Sequence, residues 1–495
     1  MALFLGIDVG TTSAKAVLAR ASGEVVAHAL AAYPTSYLGA GRVEQQPEDW
    51  WAAVVKAVSS VMADQPPAEV QGLGVSGQGC AVTLLDPAGR VLRPAITWQD
   101  GRSEAQSAAL CERCGPELQR RSGKRPAPYN ADPVLMWLAE HEPDALRAAA
   151  VSLTTTGYVT YRLSGRMVMN LSDASILCAY DLEAQGWAAD LIESIGVPSR
   201  LYPDLQPCSA VIGELSPEVA RVLGLRSGTP VIAGGEDTSS AALAAGVVDP
   251  GQAMVSVGAA GTVNVVQGAP VAHPQLLTFQ HVVPCRWLMG GSTAAFGAAL
   301  DWCRRLLGDR WSFEALIAQA AQSPPGADGL VFLPYLSGEL QPLNDGRARG
   351  ALVGLSLGHE ARHVARAVME GAVFALAHNL LIARSAGAQP TELRASGGPM
   401  RSALWRQMLA DITGLPVRVS TAVGGAPLGA AMLAAAGVGA VADLLAWARA
   451  DREGLWRLPE ANADYSALAE IYRGLYPSLK TSMHELADLG LQENP

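Results

Sequence analysis

Two short runs set a carboxylate beside glycine in a way suited to phosphate chemistry. The first is Asp8-Val9-Gly10-Thr11-Thr12-Ser13, which follows the apolar run Leu3–Val9. A glycine there lets backbone amides close on an anion, and three hydroxyls add donors. The Asp8 carboxylate is suited to hold Mg2+ through the water that this ion usually retains. An ordinary hairpin turn is the plain alternative for the same residues. The second run is Gly234-Gly235-Glu236-Asp237-Thr238, after the short apolar stretch Val231-Ile232-Ala233. A carboxylate at the end of a strand, next to two glycines, suits a general base that must meet a hydroxyl closely. Asp237 is that candidate.

Other familiar patterns carry less. Gly72-Leu73-Gly74-Val75-Ser76-Gly77 matches G-x-G-x-x-G, but Gln65-Pro66-Pro67 precedes it and the β-like Ala81–Leu85 follows. A dinucleotide site needs a strand before the glycines and a helix after them. His359-Glu360-Ala361-Arg362-His363 matches H-E-x-x-H, which on one helical face would offer two imidazoles to zinc and suggest a hydrolase. Arg366 and Met369 stand where the extended zinc motif has glycine and a third histidine, so a solvated helix start is the better reading. Cys111-Glu112-Arg113-Cys114 is a lone pair without the further ligands of a zinc site. No G-x-x-x-x-G-K-[ST] occurs, which excludes a P-loop.

The elements that must position the two carboxylates can be read from periodicity. Leu3–Val9, the turn at 10–13 and Lys15–Leu18 predict strand, turn and strand. Pro47–Met62 predicts a helix, with proline in its first turn and Trp50, Trp51, Val54, Val55 and Val58 on one face. Strands are expected at Leu73–Val75 and Ala81–Asp86, and helical segments through the 130s and 140s. Almost half a chain later the first shape recurs: Met254–Val257, Gly258-Ala259-Ala260-Gly261 and Thr262–Val266. A repeat at half-length implies two similar α/β lobes, because a solenoid would repeat every ~20–50 residues. Asp249-Pro250-Gly251 is a turn signal and a hinge candidate. Glu392–Ser396, Gly397-Gly398-Pro399 and Ser402–Thr413 read as strand, loop and helix, with Gly414 as the C-cap and Pro416 beyond it. The architecture inferred is two lobes facing a cleft, residues 1–246 and 247–495.

Composition narrows the function classes. The 495 residues carry 36 Lys+Arg and 46 Asp+Glu, a formal net charge of −10 without a basic run, which argues against nucleic acid. With 49% hydrophobic residues the chain fills real cores. The seven cysteines are odd in number and scattered, which favours a reducing compartment. The first residues lack a basic n-region and reach a carboxylate at Asp8, so no signal peptide is expected. Ser420–Ala442 carries no charge but is mostly Ala and Gly with Pro427 inside, and predicts a buried loop and helix, with no membrane span. A cytoplasmic protein is expected.

Taken in order, several segments resemble the FGGY family of carbohydrate kinases, within the actin/hexokinase-like (ribonuclease H-like) superfamily. They are Gly6-Ile7-Asp8-Val9-Gly10-Thr11, Glu44-Gln45-Gln46-Pro47 with Trp50-Trp51, and Arg93 through Arg102. They continue with Gly234-Gly235-Glu236-Asp237, Phe332 through Glu339, Arg366-Ala367-Val368-Met369-Glu370-Gly371, and Gly397-Gly398 followed by Trp405 through Asp411. The resemblance covers nearly the whole chain. It implies ATP and Mg2+, a small sugar as acceptor, and compatibility with a homodimer. Asp237 would be the base on the sugar hydroxyl and Asp8 the metal residue. Thr11, Thr12 and Ser13 would meet the ATP phosphates, with Gly258 and Gly261 in a second phosphate loop. Gly297, Gly397, Gly398 and Ser402 would border the nucleotide. Gly79, Cys80, Trp98, Asp100, Arg102 and Thr238 would lie on or behind the sugar. The first lobe would hold sugar and base, the second ATP.

Within the family, the similarity is greatest to members that convert D-xylulose to D-xylulose 5-phosphate. Another ketose or polyol as acceptor, or a non-catalytic binding relative, are the rival readings. Those members usually have Met-His where this chain has Gly79-Cys80, and Lys-Asp where it has Thr156-Gly157. They have Thr-Ser where it has Ala259-Ala260, and Arg-Thr where it has Leu340-Gln341. The loss of side chains at Gly79-Cys80 implies an open, less selective sugar pocket. For the missing loop hydroxyls, backbone amides and Thr262 are expected to compensate.

Overall fold

The computed structural model describes residues 2–308, 311–420, 424–449, 454–460 and 463–492. The chain forms two compact units. The first comprises the chain up to Val248, Gly268–Leu288 and residues 424–449. The second comprises Asp249–Gln267 and the described residues of 289–421 and 452–495. A single division at 246/247 therefore leaves out two later excursions into the first unit.

In the first unit a mixed sheet runs in the order Val211–Glu214, Pro230–Ile232, Val70–Gly77, Leu3–Val9, Ser13–Arg20, Val25–Ala32. Leu3–Val9 is antiparallel to Ser13–Arg20 and parallel to Val70–Gly77. Every residue of Leu3–Val9 is buried, as a strand covered on both faces must be. Its alternation sorts the layers. Leu3, Leu5, Ile7 and Val9 join Trp50, Val54 and Val58 of helix Pro47–Met62, while Phe4 joins Leu428 and Met432 of helix Gly425–Gly437. Trp51 and Val55, expected on the apolar face, are half-buried against the first cluster. Helix Gly425–Gly437 is the uncharged stretch of the sequence, and residues 421–423 of that stretch lie outside the described residues. Its Ala and Gly surface lets it pack closely on the sheet of the first unit. It lies so close to the sheet that a Cβ on Gly6 would stand 1.7 Å from the Pro427 carbonyl oxygen.

The G-x-G-x-x-G run falls inside strand Val70–Gly77, with no helix opening after it. Cys111 and Cys114 lie in helix Glu104–Ser122, which is kinked at Cys114, and neither is disulfide-bonded.

The second unit repeats the hairpin. Gln252–Val257 pairs antiparallel with Gly261–Gln267 and parallel with Glu392–Ser396, and the sheet continues through Val417–Ser420 to Gly454–Arg457. Ser402 caps helix Ala403–Thr413, its side chain accepting from the Trp405 amide, and Gly414 ends that helix in the left-handed conformation. Helix Ala361–Ser385 is long and apolar enough to cross a membrane, but 78% of its apolar window is buried, which makes it a core helix.

Candidate active site

Strand register assembles the chemistry of the first unit. Asp8 is the partner of Lys15 across the hairpin and of Ser76 on the parallel side, and Ser76 is in turn the partner of Gly235. Four residues from four strands thus stand in one row, two residues before Asp237. Lys15 Nζ lies 3.2 Å from Asp8 Oδ2, and the Ser76 hydroxyl donates to Oδ1 at 3.0 Å. Burial pushes the Asp8 carboxyl up to about 6, against the pull of Lys15 and with the push of the Asp237 charge. Lys15 and Ser76 were not singled out in the sequence, although a four-residue turn at 10–13 already fixes Lys15 opposite Asp8.

The carbonyls of the turn are occupied, and the Gly10 amide is tied back to Ser13 O at 3.1 Å. The Gly10 carbonyl accepts from the Tyr33 hydroxyl, Thr11 O from Gln45 Nε2 at 2.7 Å, and Thr12 O from the Tyr33 amide at 3.2 Å. Trp98 Nε1 lies 3.3 Å from the Thr11 hydroxyl, which brings this expected sugar residue to the phosphate turn. Ser13 is buried at the start of its strand, while Thr12 is exposed. Gln45 also ties in Trp50 and Gln78, at 2.9 and 2.8 Å.

Asp237 is half-buried at the first position of helix Asp237–Ala244, where the partial positive charge of the helix start favours an anion. Burial still pushes its carboxyl well above the ordinary range, helped by the neighbouring Glu236 charge and opposed by Thr238, whose hydroxyl lies 3.2 Å away. Glu236 is the N-cap, accepting from the Ser239 amide at 2.8 Å. Gly234 makes the approach: its φ of +79° is left-handed, and a Cβ there would stand 2.0 Å from the Val75 carbonyl oxygen.

Several expected sugar residues are already engaged. Asp100 and Arg102 are buried and joined by two bonds of 2.8 Å, and Arg102 also reaches Glu44 at 2.8 Å. Arg93 extends the chain of charges, 2.6 Å from Glu44 and 2.7 Å from Glu142. The Asp100 carboxylate, which also accepts from the Val43 and Arg102 amides, has no free edge to give a ligand. Cys80 has a left-handed φ of 58°, and burial pushes its thiol up to about 12. Gly79 does not open a pocket: Ile176 Cδ1 lies 2.6 Å from where its Cβ would be. Ile176 and the buried Asp173 were missed, since neither belongs to a motif. Thr156 lies beside Gly77, and its buried hydroxyl has no partner among the described residues.

The second unit holds a cavity of about 980 Å3 lined by Gly258, Gly297, Gly398 and Ser402 from the expected set, with Leu300, Phe313, Ile317 and Trp405 as apolar walls. Its size and lining suit a nucleoside. The Gly258–Gly261 turn again has its carbonyls occupied. Gly258 O accepts from the Gly297 amide at 3.0 Å, and Ala259 O from Phe296 and Ala298 at 2.7 and 3.0 Å. Gly261 and Gly397, also expected at the nucleotide, are not among the cavity's lining residues. Gly397 has a φ of +110°, and a Cβ there would stand 1.8 Å from the Val257 carbonyl oxygen. Thr262 is paired in the strand opposite Ser256.

The zinc reading fails on geometry. Glu360 is the N-cap of helix Ala361–Ser385 and His363 closes a capping box with it, while His359 lies before the helix and bonds Ser356. The two imidazoles do not share a helical face, and His363 Nε2 is 3.1 Å from Asp328.

The repeated strand-turn-strand hairpins, each flanked by a parallel strand and a glycine loop, define an actin/hexokinase-like sugar kinase fold. Residues 3–244 match the N-terminal domain, and residues 253–438 the C-terminal domain, of the FGGY family of carbohydrate kinases. The chain belongs to that family, whose members phosphorylate sugars with ATP. A xylulose kinase of Escherichia coli is 35% identical over 96% of this chain and 99% of its own length. One from Bacillus subtilis is 32% identical over 97% and 98%. The crystal structure of a xylulose kinase from Rhodospirillum rubrum superposes with a TM-score of 0.91 at 32% identity, covering 97% of this chain and all of that one.

Proposed function

We propose that this carbohydrate kinase transfers the γ-phosphoryl group of ATP to D-xylulose, giving D-xylulose 5-phosphate in the cytoplasm. The similarity to xylulose kinases supports the choice of sugar, and the carboxyl of Asp237 supports the chemistry. Placed at a helix start and beside Glu236, Asp237 has a raised proton affinity that suits removal of a hydroxyl proton as the phosphoryl group arrives. Phosphoryl transfer has a loose transition state, so alignment and charge neutralisation carry most of the catalysis. The turns at 10–13 and 258–261 supply amide donors for the phosphates, and the first unit is assigned the sugar and the second the nucleotide.

Both Asp8 oxygens already have partners, Lys15 and Ser76, which fits a metal held through water rather than by direct coordination. Asp8 would orient Mg2+ there, and the ion would neutralise phosphate charge. The test is coupled ADP release with D-xylulose, D-ribulose, D-fructose, gluconate, xylitol and glycerol. D-xylulose should give the highest kcat/KM. Turnover of another acceptor with D-xylulose inert would keep the kinase and remove the sugar assignment.

A further inference from the structure

The side chain nearest Gly79 belongs to Ile176, from a different segment of the first unit. Ile176 Cδ1 stands 2.6 Å from the position of a Gly79 Cβ, inside the distance at which real side-chain atoms coexist, and Glu236 Cγ stands 3.7 Å from the same point. Glu236 is the residue before Asp237, so this contact lies beside the base. Ile176 is half-buried, with part of its apolar surface left open.

Its placement is over-determined. Asn170 caps the short helix Leu171–Ala174 by accepting from the Asp173 amide at 2.8 Å. The Ser175 amide donates to Leu171 O at 3.0 Å and the Ile176 amide to Asp173 O at 3.3 Å. The Ser175 hydroxyl donates to Ser172 O and accepts from the Gln280 amide, both at 2.7 Å. On the facing side, the Gln78 amide donates to Val9 O at 2.9 Å and its side chain to Gln45. These bonds hold the backbone on both sides in place, so a side chain at position 79 could be admitted only by turning the Ile176 side chain about its own torsions.

We propose that Ile176 sets the size of the sugar pocket in this chain, filling from the opposite wall the volume that a side chain at position 79 would take. The glycine and the isoleucine are then one unit, a small residue matched to a large one, and the wall presented to the acceptor beside the base is apolar. Such a wall limits carbon-chain length by exclusion and makes no hydrogen bond, so it discriminates by roughly 10–200-fold, not more. The inference rests on the kinase reading of the same site.

Two measurements test it. In Ile176→Ala, the ratio of kcat/KM for D-xylulose over D-fructose should fall by at least ~10-fold, within the range an apolar contact supplies. KM for ATP should be unchanged. Gly79→Ala should lower the thermal midpoint in the wild-type background and much less in Ile176→Ala, a positive coupling read without any sugar. An unmoved sugar ratio with transfer intact overturns the inference and leaves the kinase reading standing. Additive effects of the two substitutions on the midpoint overturn the matched pair. Absence of transfer to any acceptor by the wild type overturns both the kinase reading and the pocket role.

Discussion

Asp173 gives the sharpest quantitative consequence of the site. It is fully buried, and its Oδ1 has no partner among the described residues; Oδ2 takes a bond from Asn170 Nδ2 at 2.5 Å. Burial pushes its carboxyl from 3.8 up to about 7, against hydrogen bonding from Asn170 and with the charge of Asp237. Among the described residues, the titratable groups on the elements around it are Asp237, Glu236, Cys208 and Asp204, and none of these is a cation. As pH rises, the unfolded chain gives up this proton near 4 while the folded chain keeps it to about 7, so ionisation favours unfolding across that interval. At about 1.4 kcal/mol per pH unit the full penalty is roughly 4 kcal/mol, reached above pH 7 and absent below pH 4. Asp173→Asn keeps the shape and an acceptor for Asn170 but removes the ionisation. The variant's stability relative to wild type should therefore rise by roughly 2 kcal/mol between pH 5 and pH 7. Thermal scans of both proteins at pH 5, 6, 7 and 8 read the difference as a widening gap in midpoint, at about 2–4 °C per kcal/mol. A variant less stable than wild type by the same margin at every pH would show instead that Asp173 is ionised and paired in the folded protein.

Three further outcomes follow. Lys15→Met removes the charge that holds the Asp8 carboxyl down, so the acid limb of activity should move to higher pH; the lysine is about half exposed, which keeps the change to a fraction of a pH unit, and an unmoved limb would take Lys15 out of the site. Gly397→Ala drives a methyl into the Val257 carbonyl at a positive φ and should cost about 3 kcal/mol or more, read as a lower thermal midpoint together with weaker ATP binding in a titration. The Cys80 thiol, pushed up to about 12, has a thiolate fraction of roughly 10⁻⁴ at pH 8, so peptide mapping after iodoacetamide should find it unmodified while the exposed Cys285 is labelled.

Much of the scaffold was legible in the sequence because it obeys local rules. Leu3–Val9, Pro47–Met62 and Glu392–Ser396 begin and end where periodicity, the helix-start proline and the glycine loop place them. Ser402 and Gly414 bracket their helix for the same reason. The membership of helix Gly425–Gly437 in the first unit was not legible, since an Ala/Gly surface has no strong pattern and only packing decides its neighbours. In the site, Asp8 and Asp237 announce themselves by position at strand ends. Ser76 and Ile176 do not, because strand register and the packing of distant segments bring them in. Asp100 and Arg102 show the converse: a motif marked them, and tertiary pairing turned them inward.

Asp237 is proposed to take the proton from the acceptor hydroxyl, and Asp237→Asn removes the group that would accept it. With D-xylulose and saturating ATP, ADP release should fall by ~10²–10⁴ in kcat, because a positioned base is typically worth that much. D-xylulose binding measured by calorimetry should survive within a few-fold, and the wild-type acid limb, to which Asp8 and Asp237 both contribute, should lie above the ordinary carboxylate range. A variant that turns over within a few-fold of wild type, with the same pH profile, would contradict the account.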